Sequence, residues 1–205
     1  MTTSWLVPRE SIVARSITTF HSVPPPAPQL SVRRFSREDI DGFVTYFTCL
    51  SQDECARMGI GPARIPSPEK IRVDVEPIVA SPAPTTFILS WCIEGEAIGH
   101  SSLKDIIPGE SGTMHLHMWR IDLRGHGYGP RLFCLSALDF YDRFNLKRII
   151  CEPKSDNPTP NRMLQKVGFP LVLTHFAASS ELTPPCEVNR YEILRNIAEQ
   201  YLDNN

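Results

Sequence analysis

The stretch Met114-His-Leu-His-Met-Trp-Arg-Ile-Asp-Leu-Arg-Gly-His-Gly-Tyr-Gly-Pro-Arg-Leu-Phe133 decides how this chain is read. Its opening, Met114 to Ile121, is extended and β-prone. From Pro130 to Phe144 the pattern turns helical. Phe133, Ala137, Phe140 and Phe144 recur at i, i+4, i+7 and i+11, and Cys134, Leu138 and Tyr141 widen that stripe. Arg131, Asp139, Asp142 and Arg143 fall on the opposite side. Between strand and helix lies Leu123-Arg-Gly-His-Gly-Tyr-Gly129. A strand, a glycine-rich turn and a helix start, in that order, make an anion site. The glycines let the backbone approach a ligand, and the free amides of the first helical turn point at its negative charge. Pro130 suits that turn, where its missing N–H costs nothing. The alternative is a strand-to-helix turn that binds nothing.

The turn does not follow the dinucleotide pattern Gly-x-Gly-x-x-Gly. Gly125, Gly127 and Gly129 are evenly spaced, with Arg124 just before them. It resembles the pyrophosphate loop of the GNAT superfamily of acyl-CoA N-acyltransferases, Gln/Arg-x-x-Gly-x-Gly/Ala, with Arg124, Gly127 and Gly129 at the fixed positions. The resemblance implies acetyl-CoA as co-substrate, its phosphates held by Arg124, Gly125, His126, Gly127, Tyr128, Gly129 and Pro130. His126 is expected at phosphate or solvent, away from the reacting atoms.

A second motif follows. Asn157-Pro-Thr-Pro-Asn-Arg-Met-Leu-Gln-Lys-Val-Gly-Phe169 is similar to the GNAT segment Asn-x-x-Ser-x-Arg-x-Leu-x-Lys-x-Gly-Phe of ribosomal-protein alanine acetyltransferases. Asn157, Arg162, Leu164, Lys166, Gly168 and Phe169 match in register, and Pro160 replaces the serine. In that fold a polar side chain at the start of this helix faces pantetheine and adenosine, which implies that Asn157 and Asn161 bind CoA. One position departs from the family. Many members carry a tyrosine four residues before the glycine, where its hydroxyl protonates the leaving thiolate. Leu164 stands there, so water, Tyr191 or another side chain must serve if an acid is needed.

The rest of the chain reads around these motifs. Residues 1–29 end in Val-Pro-Pro-Pro-Ala-Pro and are expected to form a tail or arm. A single domain is expected over 30–205. Leu30 to Phe35 alternates as a first strand. Ser36-Arg-Glu-Asp39 starts a helix whose buried face is Ile40, Phe43, Val44, Phe47 and Leu50. Gln52 to Met58 reads as a short helix and Gly59 to Pro68 as a loop. Phe87 to Ile93 and Ala97 to Leu103 form a hairpin around Glu94-Gly95-Glu96. After the central strand and helix come a strand at Lys147 to Glu152, a helix at Asn157 to Val167 capped by Gly168, strands at Pro170 to Phe176 and Val188 to Leu194, and a tail helix to about Leu202. This is a mixed α/β order. It coincides with the GNAT order from about Leu30 to Leu194, implying a mostly antiparallel sheet of six to seven strands flanked by helices and splayed between the fourth and fifth strands.

Amine attack on a thioester needs a neutral amine, so a general base helps. The developing oxyanion needs an N–H donor. In GNAT proteins the backbone at the end of the fourth strand holds the pantetheine and the thioester carbonyl, by position Met118, Trp119 and Arg120. His115 and His117 share one face of that strand with Trp119, because side chains alternate. Such a pair resembles serotonin N-acetyltransferase, where two histidines assist amine deprotonation, although here it lies two residues nearer the loop. Histidine titrates near neutrality and suits the role. The alternatives are hydrogen-bonded structural histidines or a zinc site, for which His100 and Glu152 are the only further ligand candidates. No metal is expected. Glu152 is the second candidate base, or else a surface carboxylate. His175 has no context that raises it above a surface residue.

Composition bounds the rest. The chain has 205 residues and a net charge of −2, so no nucleic-acid surface is expected. No apolar run approaches a membrane span and no secretory signal is visible. The six cysteines are scattered without a Cys-x-x-Cys pair and read as reduced thiols of a cytoplasmic protein. The expectation is an N-acetyltransferase, monomer or homodimer, acting on a small-molecule amine. A non-catalytic acyl-CoA-binding or assembly module and a siderophore-type hydroxylamine acyltransferase are the alternatives. The acceptor should be set by Ser51 to Pro84 and Ala178 to Pro185.

Overall fold

The computed structural model describes residues 27–81 and 85–205. The arm expected over residues 1–29 therefore lies, but for its last three residues, outside the described ones. The strands are β1 (Leu30–Arg34), β2 (Phe87–Ile93), β3 (Glu96–Ile107), β4 (Ser111–Met118), β5 (Arg148–Cys151), β6 (Leu171–Ala177) and β7 (Cys186–Glu192). They form one sheet in the order β1-β2-β3-β4-β5-β7-β6, antiparallel except for β4 and β5. The helices are α1 (Ile40–Thr48), α2 (Gln52–Met58), α3 (Pro68–Ala80), α4 (Tyr128–Phe144), α5 (Pro158–Val167) and α6 (Arg195–Asp203).

The sheet separates two cores, and the alternation of side chains along each strand sorts residues between them. On one face Met114, Leu116 and Met118 of β4 join Phe133, Ala137 and Phe140 of α4, with Leu164 of α5 and Ala198 of α6. On the other, Val44 and Phe47 of α1, Cys55 of α2, and Ile71 and Val75 of α3 pack with Ile88 and Trp119. The start of α1 is anchored by Asp39, which is 4% exposed. Its carboxylate accepts from the Arg33 guanidinium (2.6 and 2.7 Å), from Ser90 Oγ (2.8 Å) and from the Ser36 amide (2.9 Å).

Helix α3 is not among the elements expected from the sequence, where the proline-rich loop is the last feature before β2. Three local features form the helix. Ser67 Oγ accepts from the Lys70 amide (3.3 Å), Pro68 sits at the first helical position, and Ile71 and Val75, four apart, bury one narrow stripe. Pro77 falls in the last turns and hides the pattern from a scan for uninterrupted periodicity. Elsewhere the expected strands and helices stand within a few residues of their bounds; α4 starts at Tyr128, two residues before Pro130.

The feature that positions the site is the short pairing of β4 with β5. It covers only Ser111, Gly112 and Thr113 against Arg148, Ile149 and Ile150. Beyond Thr113, β4 continues to Met118 bonded to β3 alone, and β5 turns to β7 through Ile150 and Cys151. The sheet is thus splayed between its fourth and fifth strands, and the cleft opens toward the start of α4.

Candidate active site

Backbone groups alternate in direction along a strand. Trp119 N–H donates to Ile98 O (2.9 Å), and the register pairs His117 with His100 and His115 with Ser102. The odd-numbered residues of β4 therefore give their amides to β3, and those of Leu116 and Met118 face the cleft. Arg120 N–H also turns back onto Ile98 O (3.3 Å). Trp119 and Arg120, expected with Met118 to hold the pantetheine and the thioester carbonyl by their backbone, thus have their amides taken up by β3. Of the three, Met118 is the one whose amide faces the cleft.

Ahead of the cleft mouth, Gly125 and Gly127 adopt left-handed backbone (φ +84° and +83°), and Gly127 is the N-cap of α4. A β-carbon placed on either would meet no atom within 4 Å. That open ground lies before the first-turn amides of a seventeen-residue helix, and it fits a pyrophosphate in room and charge. His126 and Tyr128 stack beside it (ring centroids 5.8 Å apart, 15° between planes), and His126 Nδ1 lies 3.2 Å from Arg124 O.

Arg124 turns away from the loop. Its Nη2 donates to Met118 O (2.9 Å), and its Nη1 lies 3.4 Å from Glu54 Oε1 on α2. It ties the end of β4 to the α1–α2 side, and any phosphate contact competes with those partners. Arg124→Ala is expected to weaken acetyl-CoA binding by about 1–2 kcal/mol, the range of one charge-assisted hydrogen bond. Calorimetry checks this; a folded variant with no measurable binding would show that the guanidinium, not the loop backbone, holds the phosphates.

The two asparagines of α5 differ. Asn161 is 6% exposed and saturated. Its Nδ2 donates to Lys154 O (2.9 Å) and Asn157 O (2.7 Å), and its Oδ1 accepts from Asn189 Nδ2 (2.8 Å) and Tyr191 Oη (3.0 Å). Asn161 is a knot joining α5 to β7, which corrects its expected place in the CoA site. The same knot removes Tyr191 as a proton donor, since its buried hydroxyl is held by Asn161 and Gln165. Asn157, the N-cap of α5, keeps a buried Oδ1 without a hydrogen-bond partner.

Glu152 is no free base. Its Oε1 accepts from Arg190 Nε (2.5 Å) and His175 Nε2 (2.8 Å). Burial alone would raise its carboxyl, but those hydrogen bonds hold it below the usual carboxylate range. It anchors β5 to β6 and β7, and His175, expected to be a plain surface residue, is one of its partners.

The histidines of β4 sit in an aromatic nest on the α1 face. His117 Nδ1 lies 3.1 Å from Tyr46 Oη, and the ring stacks on His100 (4.9 Å, 19°) with Phe47 edge-on at 5.2 Å. Trp119 Nε1 donates to His100 Nδ1 (2.8 Å). Desolvation, and after it the positive charges nearby, push His117 down to about 3 and His115 down to about 4. His100 is pushed down for the same reasons. Among the described residues no group of three or more His, Cys, Asp or Glu is arranged to hold a metal ion. Sequence reasoning did not find Tyr46 or Glu54, which stand 71 and 70 residues from the groups they meet. A cavity of about 360 Å³ lies beside this nest's helices, lined in part by Thr48, Leu50, Gln52 and Ile65. No helix among the described residues is long and apolar enough to cross a membrane.

Comparison with known proteins agrees with this geometry. The family model for the acetyltransferase (GNAT) domain matches residues 29–170. Among solved structures, spermidine N-acetyltransferase from Vibrio cholerae, in complex with CoA and spermine, superposes with a TM-score of 0.67 at 15% identity, covering 83% of this chain and 98% of that one. The ribosomal L7/L12 alpha-N-protein acetyltransferase in complex with coenzyme A gives 0.67 at 15% identity, over 82% and 95% of the two chains. An aminoglycoside acetyltransferase in complex with coenzyme A gives 0.63 at 13% identity, over 84% and 98%. At these identities the likeness is one of fold. None of the curated proteins searched matches the sequence.

Proposed function

The chain belongs to the GNAT acetyltransferase family, and on that footing we propose that it moves an acetyl group from acetyl-CoA to the amine of a small-molecule acceptor. The observation that carries this reading is the splay of β4 from β5 opening onto the Gly125–Gly129 loop. When bound there, acetyl-CoA supplies a thioester carbonyl open to attack. The loop backbone and the first turn of α4 hold the pyrophosphate, and Met118 N–H, turned to the cleft, donates to the acyl oxygen. His117, on the α1 side of β4, takes the proton from the attacking amine. Leu164, 0% exposed, is core, so the leaving sulfur takes its proton from solvent. The acceptor enters over α2 and α3 and the β6–β7 connection, where the family pattern is weakest.

Two measurements test the proposal on the full chain. Calorimetry should show acetyl-CoA binding to one site per chain. Release of free thiol from acetyl-CoA should then depend on an added primary amine when a panel of polyamines, aryl-alkylamines, amino sugars and peptide N-termini is screened. Binding without thiol release from any amine would favour a non-catalytic acyl-CoA-binding module, and absence of binding would overturn both readings.

A further inference from the structure

His117 can accept a proton at Nε2 only if Nδ1 already carries a hydrogen, and that hydrogen then needs an acceptor. Tyr46, from α1, is the group that stands there, with its Oη 3.1 Å from Nδ1. The same hydroxyl lies 3.5 Å from Met58 Sδ on α2. A thioether sulfur only accepts, and a hydroxyl has one hydrogen to give. The arrangement that uses every group in this row runs one way: the His117 Nδ1–H donates to Tyr46 Oη, and Tyr46 O–H donates to Met58 Sδ. It leaves a lone pair on Nε2. Among the described residues no hydrogen bond is made to that nitrogen, and His117 as a whole is half-buried. The reverse arrangement leaves the sulfur with van der Waals contact alone and places the hydrogen on Nε2.

The stacked neighbour adds a constraint. An indole N–H can only donate, so Trp119 Nε1 fixes His100 Nδ1 as an acceptor and puts the His100 hydrogen on Nε2. His100 is thereby held neutral, face to face with His117. Neither ring touches a carboxylate in this nest, so the phenol oxygen is the acceptor that remains for a protonated His117.

We propose that Tyr46 is a positioning residue for the transfer: it selects the Nδ1–H form of His117 and accepts from that N–H while Nε2 takes the proton of the attacking amine. The inference rests on the reading of His117 as the base. In the step, the new Nε2–H bond forms as the amine N–H bond breaks, the bonding pair stays on the amine nitrogen, and the tyrosine keeps its own proton on the sulfur side.

Nitrogen-15 spectra of the histidine-labelled full chain test it, with His117 signals assigned by loss in His117→Gln. The expected wild-type spectrum has Nδ1 protonated and Nε2 bare. In Tyr46→Phe the hydrogen should move to Nε2, and kcat/KM should fall about tenfold, the worth of one hydrogen bond, with KM for acetyl-CoA unchanged. Met58→Leu, a volume-conserving change, removes the sulfur acceptor and should move the tautomer the same way should Tyr46→Phe fail to fold. A wild-type Nε2–H form, or an unchanged tautomer in both variants, overturns the role of Tyr46 even if His117→Gln is slow. Full activity of His117→Gln overturns the base reading itself, and the proposal with it.

Discussion

Gly127→Val is expected to give a folded protein that no longer binds acetyl-CoA, a loss of more than about 100-fold in affinity, or over 2.7 kcal/mol. Two separate effects act at this residue. The backbone φ of +83° lies in the left-handed region, where a β-branched side chain is strained by about 1–3 kcal/mol. In the free protein the valine β-carbon meets no neighbouring side chain or distant backbone within 4 Å. That same space is where a pyrophosphate must come to reach the first-turn amides of α4, so the side chain takes the ligand's place. Gly95, in the β2–β3 turn, separates the two effects. It has the same φ of +83° and the same open surroundings, but lies outside the Gly125–Gly129 loop. Gly95→Val should lower the melting temperature by a similar amount and leave acetyl-CoA binding intact. If calorimetry finds the two variants equally impaired in binding, the loss comes from destabilisation, and the loop is not the phosphate site.

His117→Gln should slow kcat/KM by roughly 100-fold, the low end for general-base catalysis, with acetyl-CoA affinity unchanged. The pH dependence distinguishes this site from one built on an ordinary histidine. A free imidazole would impose an acid limb near pH 6.5, about its unperturbed value. Here desolvation, then His115, Lys104 and Arg124, push His117 down to about 3. The form that accepts a proton exists above the pKa, so His117 is unprotonated through the neutral range and imposes no limb there. The acid limb should instead track the acceptor amine as it loses its own proton. His117→Gln should therefore lower the whole profile without moving it along the pH axis. A wild-type limb near 6.5 that vanishes in His117→Gln would show that the nest does not depress the histidine. An unaltered rate at every pH would make the ring structural.

Sequence alone determined the elements that carry local instructions. The loop Arg124 to Gly129 was legible because left-handed backbone selects glycine and a helix start selects an anion, both within a few residues. The stripes of α1 and α4 and the Gly168 cap of α5 were legible because burial on one face repeats with the helical period. Helix α3 was missed where Pro77 interrupted its pattern. The site chemistry was decided by tertiary structure. The register of β4 on β3 commits the Trp119 and Arg120 amides and frees that of Met118. Packing of β7 against α5 turns Asn161 from a candidate ligand into a saturated knot, and the approach of β6 and β7 to β5 turns Glu152 from a candidate base into an ion-pair anchor. The closing of α1 over the sheet brings Tyr46 to His117 and withdraws much of the imidazole from water. Hydrogen-bond partners and desolvation come from residues tens of positions away. A motif can therefore say which side chains are present, while their protonation and availability are set by what folds against them.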